Sequence, residues 1–68
     1  MMEISETLQA IVQLLKICGA TVEDAFVICV TARDAEKEED LLDWLLEQET
    51  PPTVNRVLEE AVKLAELD

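Results

Sequence analysis

The residues best suited to chemistry in this chain are carboxylates, five of which recur at helical spacing. They are Glu36, Glu39, Asp40, Asp43 and Glu47. At about 100° per residue they fall within about 100° of arc on one predicted helix, where neighbouring acids repel one another. Such a face indicates either a solvated surface that maintains solubility or a negative patch that attracts a basic surface. In its sharpest form, the patch mimics nucleic-acid phosphates and occupies another protein's binding channel.

Other catalytic and metal-binding groups are scarce. The chain has no histidine, the commonest general base and zinc ligand. Gly19 is its only glycine, which excludes glycine-rich phosphate loops and the calcium loop of EF-hands. Cys18 and Cys29 are expected to be small buried residues without a disulfide, because Cys29 lies about 12 Å along its helix from the turn that holds Cys18. We therefore predict no enzyme, no catalytic or metal site and no cofactor.

The charge balance limits the partners that this chain can bind. Sixteen acidic and five basic side chains give a net charge of -11 over 68 residues. The resulting field repels phosphate backbones, so direct nucleic-acid binding is not expected. The longest apolar run is far shorter than the roughly 20 residues that cross a bilayer, and the start, MMEISE, is acidic where a signal peptide is basic. We expect a cytoplasmic protein without membrane contact.

Capping and breaking residues predict the elements that position these groups. The predicted fold is a compact all-α domain over residues 1–68, with four helices at about 6–18, 22–33, 35–48 and 54–67. Short connections require neighbouring helices to turn back on one another. The predicted N-caps are Ser5, Thr21, Asp34 and Thr53. Gly19 is predicted to end the first helix.

The stretch AFVICVTA, residues 25–32, reads as either strand or helix. Its β-branched and aromatic residues favour a strand, and periodicity alone does not decide so short a run. The TVED segment just upstream is a helix start signal, and the chain offers no second strand to pair with the first. We therefore predict a helix. The alternative is a strand that pairs with a strand of another molecule.

The second predicted helix is apolar almost all round. Its core-facing side is expected to comprise Val22, Ala25, Phe26, Cys29 and Val30. Val27 and Ile28 are then left on the outer face, near Thr31. Either the other helices cover them, which makes this a central core helix, or another molecule does. Trp44, on the border of the third helix, either closes the rim of the core or anchors a partner. The predicted interaction surface is Val27, Ile28, Thr31 and Trp44.

Two groups of proteins show a similar order of features. A helix, GAT, a second helix, an acidic helix with a WL pair, and a last helix ending in EEAVKLAEL resemble short all-helical proteins of Gram-positive bacteria and their mobile elements, which have no assigned activity. Residues 14–46 are similar to ubiquitin-associated domains, through Leu14-Leu15 before Gly19, the Asp24-Ala25 pair and Trp44-Leu45-Leu46. Those domains are three-helix binding modules, so the resemblance implies a compact helical binding module.

Two functional hypotheses follow from these observations. The first is a non-enzymatic protein–protein interaction module that binds a protein partner or self-associates as a homodimer through the second helix. The second is an acidic inhibitor, or nucleic-acid mimic, of a nucleic-acid-handling enzyme. The two hypotheses differ in their response to salt, because screening weakens charge-driven binding and leaves apolar binding intact.

Overall fold

Four helices follow one another along the chain and are joined by short turns. The computed structural model describes residues 5–67, in which the helices are α1 (Glu6–Ile17), α2 (Val22–Asp34), α3 (Glu38–Glu47) and α4 (Val54–Glu66). The structure is 76% helical, and this part of the chain contains no strand. The predicted all-α four-helix fold is therefore confirmed, and AFVICVTA is helical. The first four residues, which carry most of the acidic start MMEISE, lie outside the described range.

Three of the four predicted N-caps are present. The side-chain oxygens of Ser5, Thr21 and Thr53 each accept a hydrogen bond from the backbone N–H three residues further on, at 3.1, 3.1 and 3.2 Å. Each bond satisfies one of the N–H groups that a helix leaves unpaired at its start. These hydroxyls fix the first residues of α1, α2 and α4.

The start of α3 differs from the prediction. Asp34 is the last residue of α2 rather than a cap, and α3 begins at Glu38 instead of residue 35. Lys37 occupies the N-cap position of α3 and makes no side-chain capping bond. The physical reason is that α2 continues through Asp34 and then reverses within the next residues, which leaves that carboxylate on the wrong helix to cap α3.

The turns at the two ends of α2 have the same hydrogen-bond pattern but different central residues. Gly19 has a φ of 84° and Glu36 a φ of 59°. In each turn the N–H of this residue bonds to the carbonyl three residues earlier, and the N–H of the next bonds to the carbonyl five residues earlier. These bonds are 3.0 and 3.0 Å at Gly19, and 3.1 and 2.8 Å at Glu36. Both turns are Schellman motifs, and only the first uses the residue that adopts this conformation without strain.

The core is small and aliphatic and draws on all four helices. Its buried residues are Leu8, Ile11, Leu15, Ile28, Ala32, Leu41, Leu45, Val57 and Ala61. Among the described residues no polar or charged side chain is buried. The most extensive helix pairs are α2 with α4 and α1 with α3. Within residues 5–67, none of the helices combines the length and apolarity needed to span a membrane.

The orientation of α2 about its own axis contradicts the prediction. Ile28 and Ala32 are buried, with 1% and 0% of their surface exposed, whereas Val22 and Phe26 are 88% and 68% exposed. The predicted and observed core faces are about 100° apart, which corresponds to one residue position on a helix. Of the side expected to join the core, Val22, Phe26 and Val30 therefore face solvent. Ala25 and Cys29 are half-buried and pack against the core, as predicted.

The size of the side chains explains this orientation. Ala32 of α2 and Ala61 of α4 are both fully buried in the shared core, and α2 packs most extensively against α4. Small residues on both helices allow their axes to approach closely while the core keeps its packing density. Phe26 would not fit such a seam without separating the helices. Ala32 and Ala61 thus permit a close approach of α2 to α4, whereas the larger Phe26 lies outside the core.

Candidate functional site

One residue of the predicted interaction surface is buried in the structure. Ile28, its central residue, is 1% exposed and belongs to the core, so that part of the prediction is wrong. Val27 is about half exposed, and Thr31 is half-buried with its hydroxyl donating a 2.8 Å hydrogen bond to the carbonyl of Val27. Of Val27 and Ile28, the fold therefore covers only Ile28.

Trp44 is half-buried at the edge of the core, and neighbouring side chains surround it. The central guanidinium carbon of Arg56 lies 5.2 Å from the centroid of its ring, a cation–π distance. The side-chain amide of Gln48 donates to the Trp44 carbonyl at 2.9 Å, and Arg56 pairs with Glu60 at 3.5 Å. These contacts favour the interpretation of Trp44 as a rim residue that closes the core between α3 and α4.

The five predicted acidic residues are all exposed. Four of them lie on α3, whereas Glu36 lies in the turn before that helix, so its assignment to the helix is wrong. We call these five residues the acidic patch. Over the described residues no cluster of histidine, cysteine or carboxylate side chains is arranged to hold a metal ion. The patch is therefore a surface of like charge and not a chelating site.

A groove between α1 and α2 is an apolar feature of the surface that the sequence prediction missed. Its lining is Leu8 and Val12 of α1, with Val22, Ala25, Phe26, Cys29, Val30 and Arg33 of α2. The groove has a volume of about 280 Å³. We refer to it as the α1–α2 groove.

Three large side chains of α2 dominate this groove. Val22, Phe26 and Val30 are spaced four residues apart and are all exposed, which makes a continuous apolar stripe along one side of the helix. Leu8 is buried and Val12 half-buried on the α1 side. A contiguous stripe of this kind is typical of a surface that another molecule covers, whereas single exposed apolar residues are ordinary.

Charges of both signs surround the groove. Arg33 is part of its lining, and Lys16 lies one turn beyond Val12 on α1. At about 100° per residue, Glu23 and Asp34 fall on the side of the stripe that points away from α1. Among the residues that line the groove, Arg33 is the one with a charged side chain. The carboxylate of Glu38 also lies near Cys29, so the apolar lining is bordered by acidic as well as basic side chains.

Both cysteines are free thiols, as predicted, but they are half-buried rather than buried, and they occupy different surfaces. Cys29 lines the α1–α2 groove, and Cys18 lines a separate depression beside Pro51 and Pro52. Burial raises the pKa of the Cys18 thiol. Burial raises the pKa of the Cys29 thiol as well, and the nearby carboxylate of Glu38 adds to that increase. A raised pKa keeps the thiol protonated at neutral pH, so neither residue is an activated nucleophile.

A sequence signal for this groove exists beside the one that was misread. Ala25, Ile28 and Ala32 are spaced three and four residues apart, which defines a helical face as regular as the predicted one. Two of its three residues are alanines, as expected where helices approach closely. Choosing this face for the core would have placed Phe26 and its neighbours on the surface.

Comparison with protein-family models, with curated proteins and with solved structures found no match for this chain. The functional argument therefore depends on the surfaces described above, and chiefly on the α1–α2 groove.

Proposed function

We propose that this chain is a non-enzymatic protein–protein interaction module that binds the apolar side of a helix in the α1–α2 groove. The observation that carries the proposal is the exposed stripe of Val22, Phe26 and Val30. A helix laid along a groove recognises such a stripe through side chains at three- and four-residue spacing.

The chemistry of the chain supports binding rather than catalysis. The protein lacks histidine, and the pKa values of both thiols are raised, which opposes nucleophilic attack at neutral pH. A half-buried apolar floor with exposed apolar walls gains free energy when a partner covers it, at about 25 cal/mol per Å² of apolar surface removed from water. Two free thiols on separate surfaces also support the proposal that the module works in the reducing cytoplasm.

A synthetic peptide tests the groove. The probe is an amphipathic helix with leucine at four-residue spacing on one side, prepared in a lysine-rich and a glutamate-rich version. Binding should slow the alkylation of Cys29, which lines the groove, while Cys18 reacts at its original rate. Mass spectrometry of the alkylated protein measures both rates in one sample, so Cys18 is an internal control.

Two matched variants locate the binding site. Phe26→Lys should weaken peptide binding at least about tenfold, because the loss of a buried phenyl group costs about 1.5–3 kcal/mol. Leu46→Lys makes the same charge change on α3 at a residue of similar exposure, 64% against 68%. It should leave the affinity within about threefold, as is usual for surface changes away from a site. Equal effects of the two variants, or protection of both cysteines, would contradict the proposal.

A second candidate function has one specific observation in its favour. All five side chains of the acidic patch are exposed, as a mimic of nucleic-acid phosphates requires. The protein would then inhibit a nucleic-acid-handling enzyme by occupying its basic channel. Addition of the protein to a panel of nucleases, helicases and polymerases tests this idea. The triple variant Asp40→Lys, Asp43→Lys, Glu47→Lys should lose any inhibition, whereas Phe26→Lys should retain it.

A further inference from the structure

The apolar stripe of the α1–α2 groove is symmetric about its central residue. Val22 and Val30 each lie four residues from Phe26, which is about 6 Å along the helix axis in either direction. If two copies of α2 meet side by side and antiparallel, a two-fold axis through Phe26 places Phe26 opposite the same residue of the second copy. Val22 of each copy then faces Val30 of the other. The stripe is therefore complementary to itself, as an isologous interface requires.

The charge distribution adds a second, independent argument. A net charge of -11 opposes the meeting of two copies, and the repulsion is greatest where acids are concentrated. The acidic patch around α3 is such a place. Among the residues that line the α1–α2 groove, in contrast, the one charged side chain is the basic Arg33. Two copies can approach each other at the groove with less repulsion than at the acidic patch.

We propose that the helix that occupies the α1–α2 groove is α2 of a second copy, in a homodimer whose two-fold axis passes through Phe26. This inference rests on the proposed function of the groove as a helix-binding site and names its partner. The half-buried Val12 of each α1 borders the same interface and extends it beyond the two α2 helices. The dimer covers the exposed part of Phe26, Val22 and Val30 in both copies.

Sedimentation equilibrium from low micromolar to millimolar concentration tests the dimer in the unmodified protein. The mean mass should rise from one chain towards two. Salt should strengthen the association, because it screens the repulsion between two strongly negative copies. Phe26→Lys should weaken dimerisation at least about 100-fold, because both copies lose a buried phenyl group and the new charges face each other. Leu46→Lys should change it less than about threefold.

Cysteine crosslinking tests the geometry of the pair. In a background with Cys18 and Cys29 replaced by alanine, single cysteines at positions 22 and 30 are oxidised mildly by dissolved oxygen, so that Phe26 stays in place. Val22→Cys and Val30→Cys should each crosslink poorly alone and readily when mixed, because the antiparallel arrangement brings position 22 opposite position 30. A disulfide requires Cα atoms within about 7 Å, so the pattern reports the register of the two helices.

Each outcome has a defined meaning for the proposal. A monomer at all concentrations, a dimer insensitive to Phe26→Lys, or crosslinking of Val22→Cys with itself instead of with Val30→Cys would overturn the homodimer. If the protein stays monomeric but the synthetic peptide still protects Cys29, the groove remains a helix-binding site and only the second copy is excluded. If the protein neither dimerises nor binds the peptide, the proposed function of the groove is contradicted as well.

Discussion

α2 presents two apolar faces to very different surroundings. Its core face, Ile28 and Ala32, is buried against the rest of the bundle, and its groove face, Val22, Phe26 and Val30, is exposed. Hydrophobicity alone does not distinguish the two faces, because both are apolar and the groove face carries Phe26, the largest apolar side chain of α2. The size of Phe26 distinguishes the two faces. Ala32 of α2 and Ala61 of α4 permit close packing of the helices, whereas a phenyl group does not. On a helix that is apolar almost all round, the fit to the neighbouring helix therefore determines which face is buried.

The two faces also differ in what they do for the free energy of folding. Burial of Ile28 contributes to the stability of the single chain, whereas an exposed Phe26 contributes little until something covers it. A fully buried phenylalanine side chain is worth about 1.5–3 kcal/mol, and most of that is available to a binding partner here. The core face therefore stabilises the folded chain, whereas the groove face is available to stabilise a complex.

Substitution of one residue on each face provides the largest expected contrast. Ile28→Ala should lower the free energy of unfolding by about 2–4 kcal/mol, because it removes buried methyl groups and leaves a cavity. Phe26→Ala should change it by less than about 0.5 kcal/mol at low micromolar concentration, where the chain is monomeric. Urea titration followed by far-ultraviolet circular dichroism measures both values.

A smaller truncation of Ile28 keeps the comparison measurable if Ile28→Ala does not fold. Ile28→Val should cost about 1 kcal/mol, a loss that even a marginal 68-residue domain tolerates. A larger loss for Phe26→Ala than for Ile28→Val would mean that α2 turns its groove face inward, contrary to the orientation described.

Substitutions in the turns at the two ends of α2 should have a smaller effect on stability than substitutions in the core face. Gly19→Ala should destabilise the fold by about 1 kcal/mol through backbone strain alone, since nothing lies within 4 Å of an added Cβ. Glu36→Gly should instead stabilise the fold by about 0.5–1 kcal/mol, because it removes the strain of a positive φ at a residue with a side chain. Thermal and urea unfolding of the two variants give the values.

The same two variants test whether these turns set the orientation of α2. The alkylation rate of Cys29 relative to Cys18 should stay the same in both, because packing between α2 and α4 keeps the groove face outward. A changed ratio in Glu36→Gly would show that the strained turn, and not the helix packing, fixes which face is exposed.

Much of the fold follows from local signals that sequence alone carries. Ser5, Thr21, Thr53 and Gly19 mark helix ends through hydrogen bonds and backbone conformations that involve only their near neighbours. The bounds of α1, α2 and α4 accordingly agree with the prediction within one residue. The start of α3 does not, because Glu36 adopts a left-handed conformation that sequence rules reserve for glycine or asparagine.

The candidate site was harder to predict than the helices for a physical reason. The acidic patch needs only the spacing of its charges, and its five side chains are indeed exposed. The groove depends on the rotation of α2 about its axis, which the contact with α4 determines. Counting apolar residues favours the side with Phe26, and only the small side chain of Ala32, which is fully buried, indicates the other side. Tertiary contacts of this kind are not visible in a local pattern.

The most direct test of this account is photochemical carbene footprinting of the unmodified chain, read residue by residue with mass spectrometry over a range of protein concentrations. At low micromolar concentration Phe26 and Leu46 should be labelled to similar extents, and Ile28 should remain unlabelled. As the concentration rises, labelling of Phe26 should fall while that of Leu46 stays constant, because the groove becomes covered. Labelling of Ile28 at the level of Phe26, or equal labelling of Phe26 at every concentration, would contradict the account.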